Sequence, residues 1–208
     1  MATAALVIYL FWALLAFGLR SLLQWRRTGD TGWRGTGLRP GTLQWWARIL
    51  FTGALLIGAA GPIADLAGLP LISSVEHPAV RVAGMVVTLL GMLATLTAQK
   101  SMGTSWRIGV DEHERTPLVT SGAFALARNP IFTAMIATAL GLAAMVPNLV
   151  SLFGLALTVF AIEIQVRAVE EPYLQRLHGT AYAVYSARVG RFLPGLGRLA
   201  SVPLDHPG

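Results

Sequence analysis

Four long apolar runs dominate the chain. The first extends from Ala2 to Leu19 without a charge, and the second covers Ile49 to Ala64 and resumes after Asp65. Val82 to Gln99 is again uncharged, and Ile131 to Ile162 contains 32 residues without a charge. A helix of roughly 20 apolar residues spans the hydrocarbon core of a bilayer. The pattern therefore predicts a membrane protein whose apolar runs form transmembrane helices.

Proline and glycine positions divide these runs. Pro147-Asn148 lies near the middle of the fourth run and favours a turn, so this run is predicted to form two short helices. We expect these two helices to form a tilted hairpin, or one in a thinned membrane. Pro62 is expected to kink or end the second helix, and Gly84 and Gly91 allow close approach of a neighbouring helix. The expected fold is all-α, with about five transmembrane helices.

The positive charges lie almost entirely on one side of the predicted spans. Of 16 Lys and Arg residues, only Arg81 falls on the other side. Because cytoplasmic loops retain Lys and Arg, we expect the N-terminus outside and residues 24–48, residues 100–128 and the tail from Arg167 in the cytoplasm. The expected location is a bacterial-type inner membrane or a plasma membrane. A cleaved signal peptide is disfavoured for the first run, because no basic stretch precedes it.

Composition and charge narrow the functional classes. The chain is 54% hydrophobic and only 12% charged, with a formal net charge of +6 and no Cys. Without Cys, disulfide scaffolds, thiolate zinc sites, iron–sulfur clusters and cysteine nucleophiles are excluded. The arginines flank apolar runs instead of covering a solvated face, which disfavours nucleic-acid binding. Residues 111–114 (Asp, Glu, His, Glu) lack metal-ligand spacing, so we predict a solvated loop and no metal.

The candidate chemistry lies in two polar segments, residues 100–130 and residues 163–194, which flank the predicted hairpin. Glu163 and Arg167 are four residues apart, so they share a helix face and are expected to pair. We divide the chain into residues 1–80, with two helices and a basic loop, and residues 81–208, with three helices and a cytoplasmic interfacial C-terminal helix. The basic loop, Trp25 to Pro40, is interpreted as a retention signal with an aromatic belt; a lipid-headgroup or substrate site is the alternative.

Two strings in these segments carry a family resemblance. The upstream string contains Leu118-Val119-Thr120, Gly122, Phe124, Arg128-Asn129-Pro130, Phe132 and Ala134. The downstream string contains Glu170-Glu171, Leu174, His178-Gly179, Tyr182, Tyr185, Arg188-Val189 and Arg191 to Pro194. Over roughly residues 84 to 195 the chain resembles the isoprenylcysteine carboxyl methyltransferase family and its phospholipid methyltransferase relatives. It departs from the family pattern at five positions: Phe124 and Phe132 replace Tyr, Asn129 replaces His, Ala134 replaces Gly, and His178 replaces Phe.

The resemblance implies an integral membrane enzyme that uses S-adenosylmethionine. The cofactor would lie in a cytoplasm-facing pocket formed by the last helices and the tail, and a prenylated or lipid-like acceptor would enter from the bilayer. The Gly-rich strand-to-helix turn of a dinucleotide-binding fold is not found in the sequence. The residues implied to bind the cofactor are Leu118, Val119, Gly122, Phe124, Arg128, Asn129, Pro130, Phe132, Glu170, Glu171, Tyr182 and Tyr185.

Further assignments concern the methyl acceptor. Arg188 matches the tail arginine of the family and is implied to orient a substrate carboxylate, for which a guanidinium fork is well shaped. Glu171 is the second catalytic candidate, as a general base if the acceptor is an amine that must lose a proton. Trp106 and Arg107, in the loop before the upstream string, are candidates for contact with the substrate.

The resemblance favours carboxyl O-methylation of an isoprenylcysteine type, with Arg188 as the reason. The alternatives are N-methylation of a phospholipid or another amine, an NADPH-dependent isoprenoid or sterol reductase, and a non-enzymatic membrane protein on the same scaffold. The acceptor is not specified by the sequence, and neither is the oligomeric state.

Overall fold

The computed structural model describes residues 1–34, 38–109 and 115–200 as helices joined by loops. The helices are α1 (Ala2–Ala13), α2 (Arg20–Thr28), α3 (Leu43–Leu66), α4 (Pro78–Met102), α5 (Pro130–Met145), α6 (Leu149–Ile164) and α7 (Glu171–Arg188). π-helical segments Leu14–Leu19 and Gln165–Glu170 join α1 to α2 and α6 to α7. In the described ranges, β structure is limited to two isolated bridges, so the all-α prediction is confirmed.

Four helices are long and apolar enough to cross a membrane: Ala2–Thr28, Leu43–Leu66, Pro78–Ser105 and Leu149–Arg188. The fifth expected span is the shorter apolar helix Pro130–Met145, which has 16 residues. Helices α5 and α6 are separated by only three residues around Pro147-Asn148, which confirms the predicted hairpin. The architecture is that of a polytopic helical membrane protein.

Asn148 fixes the hairpin turn and also joins it to α3. Its side-chain oxygen accepts a hydrogen bond from the Ser151 amide at 2.8 Å, and its side-chain nitrogen donates to the Gly61 carbonyl at 2.9 Å. The Pro147 carbonyl accepts a hydrogen bond from the Ile72 amide at 2.7 Å. Asn148 is fully buried, and these bonds satisfy its polar atoms inside an apolar protein.

Helices α4 and α5 approach closely through small residues. A Cβ atom added to Gly84 would lie 2.7 Å from the carbonyl oxygen of Gly141, and one added to Gly91 would lie 2.5 Å from Oγ1 of Thr138. Both distances are too short for a side chain, so the two glycines permit the contact as expected from the sequence.

The first helix extends beyond the predicted apolar run, as far as Thr28. Its polar side chains bind the segment that follows α4: Arg20 donates to the Gly103 carbonyl at 2.6 Å, and Gln24 donates to the Thr104 carbonyl at 2.8 Å. Arg20 and Gln24 are both buried. These hydrogen bonds allow the two polar side chains to be buried at the C-terminal end of the first helix.

Two other boundaries differ from expectation. Helix α3 continues through buried Pro62 as far as Leu66, so this proline does not end the helix. The expected separate C-terminal helix is instead continuous with α6, and its path breaks only at Gly179, where φ is 49° and ψ is −121°. Side chains disfavour positive φ, which makes glycine suitable for this break.

Candidate active site

The two motif strings lie next to each other in the fold. The Arg128 amide donates to the Gly190 carbonyl at 2.8 Å, and the Asn129 amide donates to the Arg191 carbonyl at 3.0 Å. Gly190 has no space for a side chain, because a Cβ atom would lie 2.0 Å from the Leu193 carbonyl oxygen. The tail after α7 is therefore paired with the segment immediately before α5.

A buried charge network, Arg128–Glu171–Arg191, links the same two segments. Nη2 of Arg128 donates to Oε1 of Glu171 at 2.6 Å. Nε and Nη2 of Arg191 donate to Oε1 and Oε2 of Glu171 at 2.8 Å and 2.9 Å. The side chain of Arg128 is only 2% exposed and that of Glu171 is 11% exposed. Both carboxylate oxygens are thus held by guanidinium groups, and the Glu171 hydrogen bonds raise the pKa of Arg191.

Arg128 also organises the tail through backbone carbonyls. Its guanidinium donates to the carbonyl oxygens of Ser186 at 2.8 Å, Val189 at 3.0 Å and Gly197 at 3.1 Å. These bonds satisfy carbonyls at and beyond the C-terminal end of α7, which no longer have helical partners. Arg128 therefore fixes both the charge network and the path of the chain after the helix.

A cavity of about 570 Å³ opens beside this network. Its polar end contains Glu170, Gln165 and the rings of Tyr182 and Tyr185. Nε2 of Gln165 donates to Oε1 of Glu170 at 3.0 Å. The apolar end lies between the first helix, α3 and α5, and its lining side chains include Ala13, Phe17, Phe51, Leu55, Ile131, Phe132 and Met135. A cavity of this size with a few polar groups has the character of a small-molecule site.

Twelve of the fifteen candidate residues from the sequence line this cavity. They are Trp106, Arg107, Leu118, Val119, Phe124, Arg128, Asn129, Pro130, Phe132, Glu170, Tyr182 and Tyr185. The structure thus gathers residues from three separate parts of the chain around one space.

The other three candidates do not line the cavity. Glu171 lies in the charge network, where both oxygens are hydrogen-bonded. Arg188 is exposed at the end of α7. Gly122 has a φ of 60°, and a Cβ atom there would lie 2.8 Å from Oγ of Ser101, so it serves close packing against the end of α4. The implied roles of these three residues toward a ligand stay predictions.

The two tyrosines of the downstream string differ in their contacts. The Tyr185 hydroxyl donates to the Phe124 carbonyl at 2.7 Å and so ties α7 to the 3₁₀ turn Gly122–Ala125. The Tyr182 ring packs edge-on against Tyr185 with centroids 6.3 Å apart and lines the cavity. Both rings line the cavity, and the Tyr185 hydroxyl has an additional structural role.

Several lining residues come from the N-terminal half, and of these only Trp33 and Leu38, in the basic loop, were covered by the substrate-site alternative in the sequence interpretation. The lining residues from this half are Ala13, Phe17, Trp33, Leu38, Gln44, Arg48, Phe51, Thr52 and Leu55. Arg191 was also missed as a partner of Glu171. Arg48 precedes an apolar run, so its position resembles that of any retention charge. Trp33 of the basic loop lines the cavity, which its interpretation as part of an aromatic belt does not explain.

The loop after α4 is held against the first helix and the basic loop. Trp106 is buried, and the Arg20 guanidinium lies 4.8 Å from its ring centroid. The Ile108 amide donates to the Gly32 carbonyl at 2.8 Å, and the Arg34 amide donates to the Ile108 carbonyl at 2.9 Å. The arginine-bearing C-terminal end of the first helix therefore shapes one side of the cavity and also carries positive charge.

The acidic cluster at residues 111–114 lies outside the described residues. Within the parts of the chain that the structure describes, no group of three or more His, Cys, Asp or Glu side chains is arranged to hold a metal ion. The expected pair is present between α6 and the π-helical segment that follows it: Arg167 Nε donates to Glu163 Oε2.

Comparisons with known proteins agree with this architecture. A sequence model of the family described as phospholipid methyltransferase matches residues 79–181. Protein-S-isoprenylcysteine O-methyltransferase B of Arabidopsis thaliana is 27% identical over 143 residues, which cover 68% of this chain and 72% of the plant protein. Arg188 and Arg191 lie beyond the range matched by the family.

The helical membrane fold and these matches define the chain as a membrane methyltransferase. More specifically, the matches support a methyltransferase of the isoprenylcysteine and phospholipid methyltransferase type.

Proposed function

We propose that this protein transfers the methyl group of S-adenosylmethionine to the carboxylate of a prenylated or lipid-like acceptor. The observation that carries the proposal is one continuous cavity with a polar end and an apolar end. The polar end suits a charged, aromatic cofactor, and the apolar end suits a hydrocarbon chain.

The residues at the polar end match the chemistry of S-adenosylmethionine. Glu170 offers a carboxyl group to a sulfonium or ammonium cation, and the Tyr182 and Tyr185 rings offer π surfaces to a cation or to adenine. Leu118 and Val119 form part of the same lining. We assign cofactor contact to these five residues, with Phe124, Arg128, Asn129 and Pro130 completing the wall. Phe132, a cofactor candidate in the sequence, is assigned to the acceptor side because its ring contacts Phe51.

The charges around the cavity favour an anionic acceptor. Arg48, Arg107 and Arg128 line it, whereas Glu170 is the one acidic side chain among the described lining residues. A carboxylate oxygen forms a bond to the methyl carbon while the carbon–sulfur bond breaks, and the electron pair stays on sulfur. No proton is transferred, so the protein needs mainly to align the reactants and exclude water.

Glu171 and Arg188 receive positioning roles in this proposal. Glu171 holds Arg128 and Arg191, and its two occupied oxygens make it a poor proton acceptor. Arg188 is exposed outside the cavity, so the guanidinium groups that can meet an acceptor carboxylate are those that line it. N-methylation of an amine would require a base, and Glu170 is the lining carboxyl group that could accept the proton.

Calorimetry with S-adenosylmethionine on the detergent-purified protein tests the polar end. Loss of a hydrogen bond to a charged group costs about 1.5–3 kcal/mol, so Glu170→Gln is expected to weaken Kd about 10-fold or more. Glu163→Gln is the matched control, because Glu163 lies on the preceding helix and does not line the cavity. Equal affinity of both variants would reject the assignment of Glu170.

Methyl transfer itself is tested with labelled S-adenosylmethionine and one of two acceptors. The first is a carboxylic acid that carries an S-farnesyl thioether, and the second is the corresponding amine. We expect label in a base-labile ester of the acid. Label only in the amine would establish N-methylation instead. Binding of NADPH in place of S-adenosylmethionine would favour a reductase, and no binding of either would favour a non-enzymatic protein.

The proposal includes an orientation in which the N-terminus is outside and the cavity and C-terminus face the cytoplasm. Because the chain has no Cys, single-cysteine variants report on this directly. A membrane-impermeant maleimide on intact cells should label Ser74→Cys, between α3 and α4, but not Thr180→Cys in the C-terminal half of α7. Both positions are exposed. The reverse labelling pattern would overturn the orientation.

A further inference from the structure

Two side chains on neighbouring helices belong to the apolar end of the large cavity. Leu55 of α3 and Met135 of α5 line this end, together with Ala13, Phe17 and Phe51. Met135 is 5% exposed and belongs to the hydrophobic core. A hydrocarbon chain that lies in this part of the cavity would therefore meet Leu55 and Met135 at its tip.

A second, smaller cavity of about 40 Å³ lies on the other side of the same two residues. Leu55 and Met135 are the residues that the two linings share, and Tyr9, Trp12 and Ser151 are among those found only in the smaller one. A volume of this size holds about three water-sized groups. Leu55 and Met135 thus form a thin partition, which we name the Leu55–Met135 wall.

The smaller cavity has a mainly apolar lining with two unpaired polar atoms in it. Trp12 Nε1 and Ser151 Oγ are buried without a hydrogen-bond partner among the described residues, and both residues line the smaller cavity. Beyond the wall, the smaller cavity therefore offers mostly apolar surface that a longer hydrocarbon chain could occupy.

Neighbouring contacts hold one side of this wall in place. The Tyr9 hydroxyl donates to the Leu55 carbonyl and so fixes α1 against α3. Gly58 lets the Tyr9 ring approach, because a Cβ atom there would lie 2.9 Å from the tyrosine oxygen. Met135, in contrast, is a flexible thioether side chain that can adapt to a ligand. Substitution of Met135 should change the cavity more than the helix positions.

We infer that the Leu55–Met135 wall limits the length of the acceptor hydrocarbon chain. This inference rests on the proposed function, because it assumes that the chain of a lipid-like acceptor occupies the apolar end. The wall residues come from α3 and α5, so chain-length selection depends on contact between the N-terminal half and the motif-bearing half.

The test uses Met135→Ala and a series of straight-chain fatty acids in two-carbon steps as acceptors. Removal of the thioether joins the two cavities, and room for about three water-sized groups corresponds to an optimum about two to four carbons longer. Ester formation under competition gives the optimum, and thermal stabilisation of the protein by each acid gives a second readout that needs no turnover. Leu55→Ala is expected to shift the optimum in the same direction.

Met92→Ala is the matched control, because Met92 is a buried core methionine that lines neither cavity. It should lower stability to a similar degree but leave the optimum unchanged. An unchanged optimum in both Met135→Ala and Leu55→Ala, with esters still formed, would overturn the wall and leave the proposed function intact. Absence of ester and of stabilisation for every acid in the intact protein would instead reject the proposed function with a fatty-acid acceptor, and the inference with it.

Discussion

The polar and apolar ends of the cavity are built from different parts of the chain and are held by different forces. At the polar end, Glu170 and Tyr182 stand beside the Arg128–Glu171–Arg191 network, in which few groups carry most of the interaction energy. At the apolar end, side chains of the first helix, α3 and α5 are held by packing among many atoms. Damage to the first region should be abrupt, whereas damage to the second should be graded.

The difference also separates two tasks. Alignment of a methyl donor requires fixed directions, which ion pairs and hydrogen bonds supply. Acceptance of a hydrocarbon chain requires volume and a dry surface, which helix packing supplies without directional bonds. A substitution at one end of the cavity can therefore be compared with properties of the other end as a reference.

The largest expected effect is loss of the buried network in Glu171→Gln. Removing this charge leaves buried Arg128 without its ion-pair partner, and breaking a buried pair costs about 3–5 kcal/mol. Unfolding in detergent measures the change. Glu76→Gln is the control, because Glu76 forms an exposed ion pair in which its Oε1 lies 3.4 Å from Nη1 of Arg81. Its cost should be at most about 1 kcal/mol. Similar losses in both variants would show that the network does not hold the polar end.

A smaller effect is expected from Tyr185→Phe. The variant leaves the buried Phe124 carbonyl without its hydrogen bond, which costs about 1–3 kcal/mol of stability. Tyr182→Phe keeps the ring that lines the cavity, so it should change stability little. Thermal unfolding of the two variants tests this contrast. A larger loss for Tyr182→Phe would contradict the division of roles between the two tyrosines.

At the apolar end, Phe51→Leu removes an edge-to-face contact with Phe132. The ring centroids are 6.0 Å apart, and such pairs contribute about 0.5–1.5 kcal/mol beyond area burial. Stability in thermal unfolding should fall by at least this amount, and acceptor affinity in a fatty-acid titration should fall as well, because Phe51 lines the apolar end. Affinity for S-adenosylmethionine should stay constant. A parallel loss of cofactor affinity would show that the two ends are not independent.

The smallest effect concerns the Asp30–Arg34 pair, which lies in the loop segment that borders the cavity. The Arg34 hydrogen bond holds the pKa of Asp30 well below its usual range. The stabilisation is therefore fully present above about pH 4, the unfolded value, and is lost as pH falls through the folded value. Because the pair is partly exposed, Asp30→Asn should cost less than about 1 kcal/mol at pH 7. In thermal unfolding, the difference in stability between the wild-type protein and Asp30→Asn should be smaller at pH 3 than at pH 7. A larger difference at pH 3 would contradict the predicted direction of the pH dependence.

Local patterns in the sequence were sufficient for much of the fold. The uncharged runs located the helices, Pro147-Asn148 located the hairpin turn, and Gly84 and Gly91 indicated the close contact of α4 with α5. Each of these follows from the residue's own chemistry or from a short stretch of chain, because helix formation, turns and transfer into the bilayer depend on local composition. The motif strings likewise supplied twelve residues that line the cavity.

The sequence by itself determined which segments are apolar helices and which polar strings resemble the family. Only the tertiary structure decided that Arg191 joins Arg128 on Glu171. It also left Arg188 exposed and outside the cavity lining, and it brought Phe51 and Leu55 from the N-terminal half into that lining. The physical reason is that these contacts join residues far apart in the chain. Their partners are chosen by how whole helices pack, and the arginines of this chain look alike until that packing buries some and leaves others exposed.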